Sequence, residues 1–164
     1  MTAAAFWHYL DASAMVKVVA NDPDEGLGRE TLRRYYFSHS MYRASSFCVA
    51  EALSAFKVKW LRGRCSQEEY FTNVREFFRL VVSPLQQEEC PLAVQVQQEA
   101  ERLMQVHKLD FIDSIQIVTL LKGSHSGLVG ASQSLFITAD KALAAAARSE
   151  GARVWDCTSE EAPS

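Results

Sequence analysis

Residues 6–10 (FWHYL) form a short aromatic and apolar run that stops at Asp11, a pattern that predicts a buried strand ending in a carboxylate. The spacing then turns helical. Met15, Val18 and Val19 share a face until turn formers over residues 21–26 break the pattern, and a second helix is predicted over residues 27–37. Residues 42–49 lean toward strand and give way to strong helix formers over residues 50–56, which puts Glu51 near a helix start. Ser66 and Glu69 have capping-box spacing, ahead of a stripe of Tyr70, Phe71, Val74, Phe77 and Phe78 predicted to face the core. Residues 79–85 (RLVVSPL) read as a strand closed by Ser83-Pro84, and Pro91 as the opening of a long helix to about His107. Asp110 is placed to cap the next helix, which carries Phe111, Ile112, Ile115, Val118 and Leu121 and ends in a Gly/Ser-rich loop over residues 123–130. A strand over residues 135–139 ends at Asp140. The alanine-rich helix 141–149 stops at Gly151, and a last strand covers residues 152–155. Strands and helices alternate throughout, which predicts an α/β fold with a central, mainly parallel sheet covered on both faces.

Composition narrows the class. The 164 residues are 48% hydrophobic and 23% charged, an ordinary globular mixture, so disorder, collagen and coiled coil are excluded and one folded domain over residues 1–158 with a frayed tail, 159–164, is expected. Cys48, Cys65, Cys90 and Cys157 contain no Cys-x-x-Cys pair and no zinc spacing, so a reducing, cytoplasmic setting is expected rather than a disulfide scaffold. Residues 1–14 have no basic region before their apolar stretch, and no apolar run reaches the ~18 residues of a membrane span, so neither secretion nor a membrane partner is expected. A net charge of −3 gives no overall attraction to nucleic acid, and any polyanion would be held locally.

The candidate chemistry is acidic. Ligands of open α/β sheets collect at the carboxyl ends of strands, and two predicted strands end in Asp11 and Asp140. Glu51 and Asp113, near helix starts, can join the same rim. Crowded carboxylates stay ionised only when a cation or hydrogen-bond donors offset their repulsion, and an all-oxygen set suits Mg²⁺ or Mn²⁺. The matching reaction is metal-assisted hydrolysis of a phosphodiester, with water as the nucleophile.

In motif order, residues 9–14 (YLDASA), 46–56 around Glu51, 113–117 (DSIQI) and 138–141 (TADK) resemble the four motifs of PIN-domain ribonucleases, in particular the VapC toxins of toxin–antitoxin pairs. Residues 154–156 are similar to the closing strand. The resemblance implies a three-layer α/β/α PIN-like fold and an endoribonuclease site made of Asp11, Glu51, Asp113 and Asp140 binding Mg²⁺ or Mn²⁺. Asp11 would be a direct ligand and Asp113 a ligand directly or through water, with Glu51 and Asp140 completing the cluster and orienting metal-bound water, and Ser13 and Thr138 hydrogen-bonding these carboxylates or a phosphate. It further implies an RNA substrate, an antitoxin protein partner and a homodimer, for which Phe47, Val49, Leu53 and Phe56 are candidate interface residues. Ser114 departs from the small alanine usual after the third motif's aspartate, and residues 57–80 are long and aromatic for the family.

Each acid also has a plainer role. Asp11 and Asp140 alone read as helix caps, and Glu51 alone as a solvated helix residue. Asp113 is harder to explain away, because Asp110 already suffices as the cap and Asp113 lies among Phe111, Ile112, Ile115 and Ile117. A non-catalytic PIN-like module that binds RNA or a partner, or a stand-alone nuclease, are the alternatives. Asp22-x-Asp24 is not a calcium loop, since its twelfth position is Arg33 rather than glutamate. The run 123–127 is not a nucleophile elbow, since its centre is His125. His8, His39 and His107 read as core or surface histidines. Lys57, Lys59, Arg62 and Arg64 with Trp60 form the one concentrated basic patch, either an RNA or acidic-partner contact or a solvated helix end.

Overall fold

A computed structural model describes residues 6–90, 92–128 and 133–163. Five strands form one parallel sheet in the order β3-β2-β1-β4-β5, made of β1 (His8–Leu10), β2 (Tyr42–Ser45), β3 (Gln86–Glu88), β4 (Leu135–Thr138) and β5 (Arg153–Asp156). Seven α-helices among the described residues cover it: α1 (Ala12–Val19), α2 (Arg29–Ser38), α3 (Ser46–Leu61), α4 (Gln67–Phe77), α5 (Val94–His107), α6 (Phe111–Lys122) and α7 (Lys141–Ser149). The result is a three-layer α/β/α fold, as the alternation of patterns predicts.

β1 is the middle strand, and its three residues are all buried. The chain runs outward from β1 through β2 to β3, then returns to the other side of β1 for β4 and β5. Strand order therefore reverses between β1 and β4, and the crevice beyond their carboxyl ends is where this architecture receives ligands. Asp11 follows β1 and Asp140 follows β4, so both flank that crevice. The backbone N–H of Asp11 donates to the Ile137 carbonyl at 3.0 Å, extending the β1–β4 ladder into the crevice.

Several boundaries differ from the sequence expectation. Residues 46–49 are helical, because the Ser45 side chain accepts from the Cys48 N–H and starts α3 four residues early. Glu51 consequently sits in the second turn. Residues 79–85 do not form a strand: after α4 a π-helical segment runs over Phe78–Val82, closed by Ser83 N–H donating to the Phe78 carbonyl. Phe77, Val81 and Leu85, four apart and all buried, hold this segment on the core, so helical burial overrides the strand preference of Leu80, Val81 and Val82. The strand at this edge is the polar β3 instead. The α4 stripe is only partly core, with Phe77 fully buried and Phe71 and Phe78 about half exposed. The helix expected from Pro91 begins at Val94. Pro91 itself, and residues 129–130 of the predicted loop, lie outside the described residues. The capping box of Ser66 and Glu69 forms as expected.

Gly28 starts α2 at φ +72°, and a Cβ there would lie 1.9 Å from the Cys157 carbonyl oxygen, so the start of α2 packs directly on the chain after β5. That chain is tied down rather than frayed through Glu160: the Trp155 indole N–H donates to the Glu160 carbonyl at 3.3 Å and the Asp156 N–H to its carboxylate at 3.0 Å. Val49 and Phe56 are buried within this chain, which leaves Phe47 and Leu53, half-buried, as the accessible members of the expected dimer set. His8 is a core histidine, donating from Nδ1 to the Ser40 carbonyl and accepting at Nε2 from the Tyr35 hydroxyl, both at 2.9 Å. Among the described residues no helix is long and apolar enough to cross a membrane.

Candidate metal centre

Asp11 is the N-cap of α1 and directly follows β1, so its carboxylate stands beside the β1/β4 crevice. Its Oδ2 accepts from the Ser13 N–H at 3.2 Å, from the Ser13 hydroxyl, and from the Thr138 hydroxyl at 2.8 Å. Ser13 and Thr138 are themselves braced by the chain leaving β4: Ala139 N–H donates to Ser13 Oγ at 2.9 Å and Asp140 N–H to Thr138 Oγ1 at 3.0 Å. The buried Asp11 carboxylate is thus fixed by two elements at once. Glu51 projects from α3 and Asp113 from the first turn of α6, whose cap is Asp110, accepting the Asp113 N–H at 2.9 Å.

Asp11, Glu51 and Asp113 each offer an oxygen such that all three lie within 4.8 Å of one another. Asp140 is outside this trio. It is exposed, and its Oδ1 accepts from Ala142 and Leu143 N–H groups at 2.7 and 3.0 Å as the cap of α7, although its charge still reaches the cluster. The capping and clustering roles, opposed in the sequence, coexist at Asp11 and separate at Asp140.

Burial, and then the neighbouring carboxylates, push Glu51 and Asp113 each up to about 7, and burial raises Asp11 as well despite its hydrogen bonds. Among the described residues no basic side chain donates to the trio. The donor that does approach is Gln116 of α6, one turn beyond Asp113: fully buried, it donates from Nε2 to Glu51 Oε2 at 3.3 Å and reaches Asp11, while its Oε1 has no partner among the described residues. Three crowded hard oxygen donors, with an orphaned carbonyl beside them, fit a small divalent cation of the Mg²⁺ or Mn²⁺ type.

A carboxyl whose pKa is higher in the folded than in the unfolded chain takes up protons on folding, so stability falls as pH rises between the two values. For Asp113 that window runs from 3.8 to about 7. With chelator present, Asp113→Asn is expected to exceed wild type in stability at pH 8, by roughly 1 to 2 kcal/mol once its half-exposed position is discounted for solvent screening, with the gap closing toward pH 4. Urea denaturation of both proteins at several pH values checks this. A pH-independent gap would contradict it.

A cavity of about 410 Å³ adjoins Glu51, and its lining includes Ser13, Lys17, Asp24, Glu25 and Lys59. Glu51, Ala55 and Lys59 are four residues apart on α3 and form one wall. Lys17 is buried and pairs with Glu25 at 3.1 Å, and Lys59 lies 2.8 Å from Glu25 and 2.9 Å from Asp22. Arg64 pairs with Asp24 at 3.3 Å, and Lys57 lies 4.0 Å over the Trp60 ring. Lys59 and Arg64, expected in an exposed basic patch, are therefore paired with the acidic turn of residues 22–25. Lys17 and Gln116 are not among the sequence's candidate residues. Each had a signal, a polar residue within an apolar run of a helix, residues 14–20 for Lys17 and 115–118 for Gln116.

No family model matches the chain, and no curated protein matches it. The crystal structure of PAE2754 from Pyrobaculum aerophilum is similar over 93% of this chain and 91% of that chain, with a TM-score of 0.59 and 18% sequence identity. Likeness at that identity speaks for the fold alone, and it agrees with the three-layer α/β/α class.

Proposed function

We propose that this chain is a metal-dependent endoribonuclease of PIN type that hydrolyses RNA phosphodiester bonds. The observation that carries the reading is the trio of Asp11, Glu51 and Asp113, drawn from three different elements onto the switch point of the sheet with oxygens within 4.8 Å of one another. Asp11, Glu51 and Asp113 would hold the cation. A bound Mg²⁺ or Mn²⁺ supplies the positive charge that offsets the carboxylates and stabilises charge developing on the phosphoryl oxygens. Ser13 and Thr138 keep Asp11 from turning away, and Asp140, fixed by the start of α7, adds negative potential at the rim. The cavity beside Glu51 has room for a nucleotide next to the scissile bond, and the Lys17 and Lys59 side chains in its lining are held by Glu25 and Asp22. The order of the four motifs extends the reading to the toxin of a toxin–antitoxin pair, with an antitoxin protein and a second copy of the chain as partners.

The test is cleavage of total cellular RNA by purified protein with Mn²⁺ or with chelator. The expected outcome is cleavage with Mn²⁺ alone, leaving 5′-phosphate and 3′-hydroxyl ends, since water rather than the 2′-hydroxyl attacks. Chelator-resistant cleavage, or cyclic phosphate products, would overturn the reading.

A further inference from the structure

Gln116 is a full amide on the α6 face that also carries Asp113 and Thr119, between Ile115 and Ile117 in sequence, and it is fully shielded from solvent. A buried amide persists where its groups are used, because each unpaired polar atom carries a desolvation penalty. Here only half of it is used. Nε2 donates to Glu51 Oε2 at 3.3 Å and reaches Asp11, whereas Oε1 meets no donor among the described residues. An apolar side chain of the same size would fill this position without an orphan. The orphan and the donor belong to one planar group whose two ends differ only in which atom they present, so a half-turn about the last side-chain bond exchanges them. In the exchanged state the carbonyl oxygen faces Glu51 Oε2 and Asp11. Two lone-pair-bearing oxygens at that separation repel, unless a cation sits among them. The amide is thus suited to both charge states of the site: its N–H groups serve the bare carboxylates, and its oxygen serves a cation held by them.

We propose that Gln116 turns its carbonyl oxygen to the divalent cation and acts as a neutral oxygen donor alongside Asp11, Glu51 and Asp113, an inference that rests on the metal-centre reading above. Its placement on α6 at three residues from Asp113 lets one helix present a charged and a neutral donor to the same point. A neutral donor adds coordination without adding to the repulsion of three crowded carboxylates. It also makes α6 respond to the metal, because the amide's partner changes when the cation arrives.

The test is calorimetric titration of metal-free protein with Mn²⁺ at pH 8, comparing wild type with Gln116→Met, Gln116→Glu and Asp113→Asn. Gln116→Met removes both ends of the amide at nearly constant volume and is expected to weaken Mn²⁺ binding about tenfold. Gln116→Glu keeps an oxygen at the same reach and adds charge, and is expected to bind Mn²⁺ more tightly than wild type. Unchanged affinity in Gln116→Met overturns the proposal. If that variant does not fold, Gln116→Glu decides alone, and affinity at or below wild type overturns it. Asp113→Asn separates the two levels of the account. Loss of binding there with no effect at Gln116 removes only the Gln116 donor, whereas wild-type binding in Asp113→Asn removes the metal centre itself.

Discussion

Asp11→Asn is expected to lower Mn²⁺-dependent RNA cleavage by more than about 100-fold while leaving the fold intact, because the amide keeps the cap of α1 but gives up the negative charge the site needs. The conservative change is informative here. Asparagine is as good an N-cap as aspartate, so the start of α1 survives, and the Ser13 and Thr138 hydroxyls still find an acceptor. Activity then reports the charge and little else. Thr138→Val probes the support behind it: the hydroxyl that donates to Asp11 at 2.8 Å and accepts the Asp140 N–H at 3.0 Å disappears, and cleavage is expected to fall about 10- to 100-fold. Steady-state cleavage of a defined RNA at saturating Mn²⁺, with circular dichroism to verify folding, checks both. Cleavage by Asp11→Asn within a few-fold of wild type would remove Asp11 from the site.

The largest stability loss is expected at the other end of the sheet. Arg43 of β2 and Glu88 of β3 form an ion pair with both side chains almost wholly buried, and Glu88 also accepts from the Ser124 N–H at 2.8 Å and the Ser124 hydroxyl at 3.1 Å. The Arg43 guanidinium further lies 5.8 Å from the centres of the Trp7 and Tyr9 rings. Arg43→Met strands the Glu88 carboxylate in the interior and is expected to cost about 3 to 5 kcal/mol. Replacing both residues removes the stranded charge, so Arg43→Met/Glu88→Met is expected to regain much of that loss, short of what Ser124 gives up. Urea unfolding of the three variants checks this. A single variant as stable as wild type, or a double variant worse than the single, would contradict it.

The α/β architecture followed from hydrophobic spacing that switches between short runs and helical periods, and β1, β4, α6 and α7 fall close to where that spacing puts them. The failures share a cause. Leu80, Val81 and Val82 have strand preference, yet Phe77, Val81 and Leu85 are spaced for a helix and are buried as one. β3, with the polar residues Gln86, Gln87 and Glu88, has no hydrophobic alternation at all, and its pairing to β2 is supported by an ion pair between distant residues that no local pattern encodes.

The acids of the site could be named from strand ends, helix starts and motif order, but their mutual geometry could not. Whether an aspartate after a strand points into the crevice or back onto its own helix depends on neighbours far away in sequence. Asp11 is turned inward by Thr138, 127 residues on, while Asp140 is spent on the N–H groups of α7. Gln116 and Lys17 were open to detection as polar residues within apolar runs of their helices. What each one touches, Glu51 for the amide and Glu25 for the amine, is set by the packing of separate elements.

If Asp11, Glu51 and Asp113 hold a divalent cation, anomalous diffraction from a crystal soaked in Mn²⁺ will show it. The expected result is a single strong anomalous peak within coordination distance of oxygens from all three residues, lost in crystals of Asp113→Asn. A crystal that takes up Mn²⁺ only elsewhere, or not at all, would contradict it.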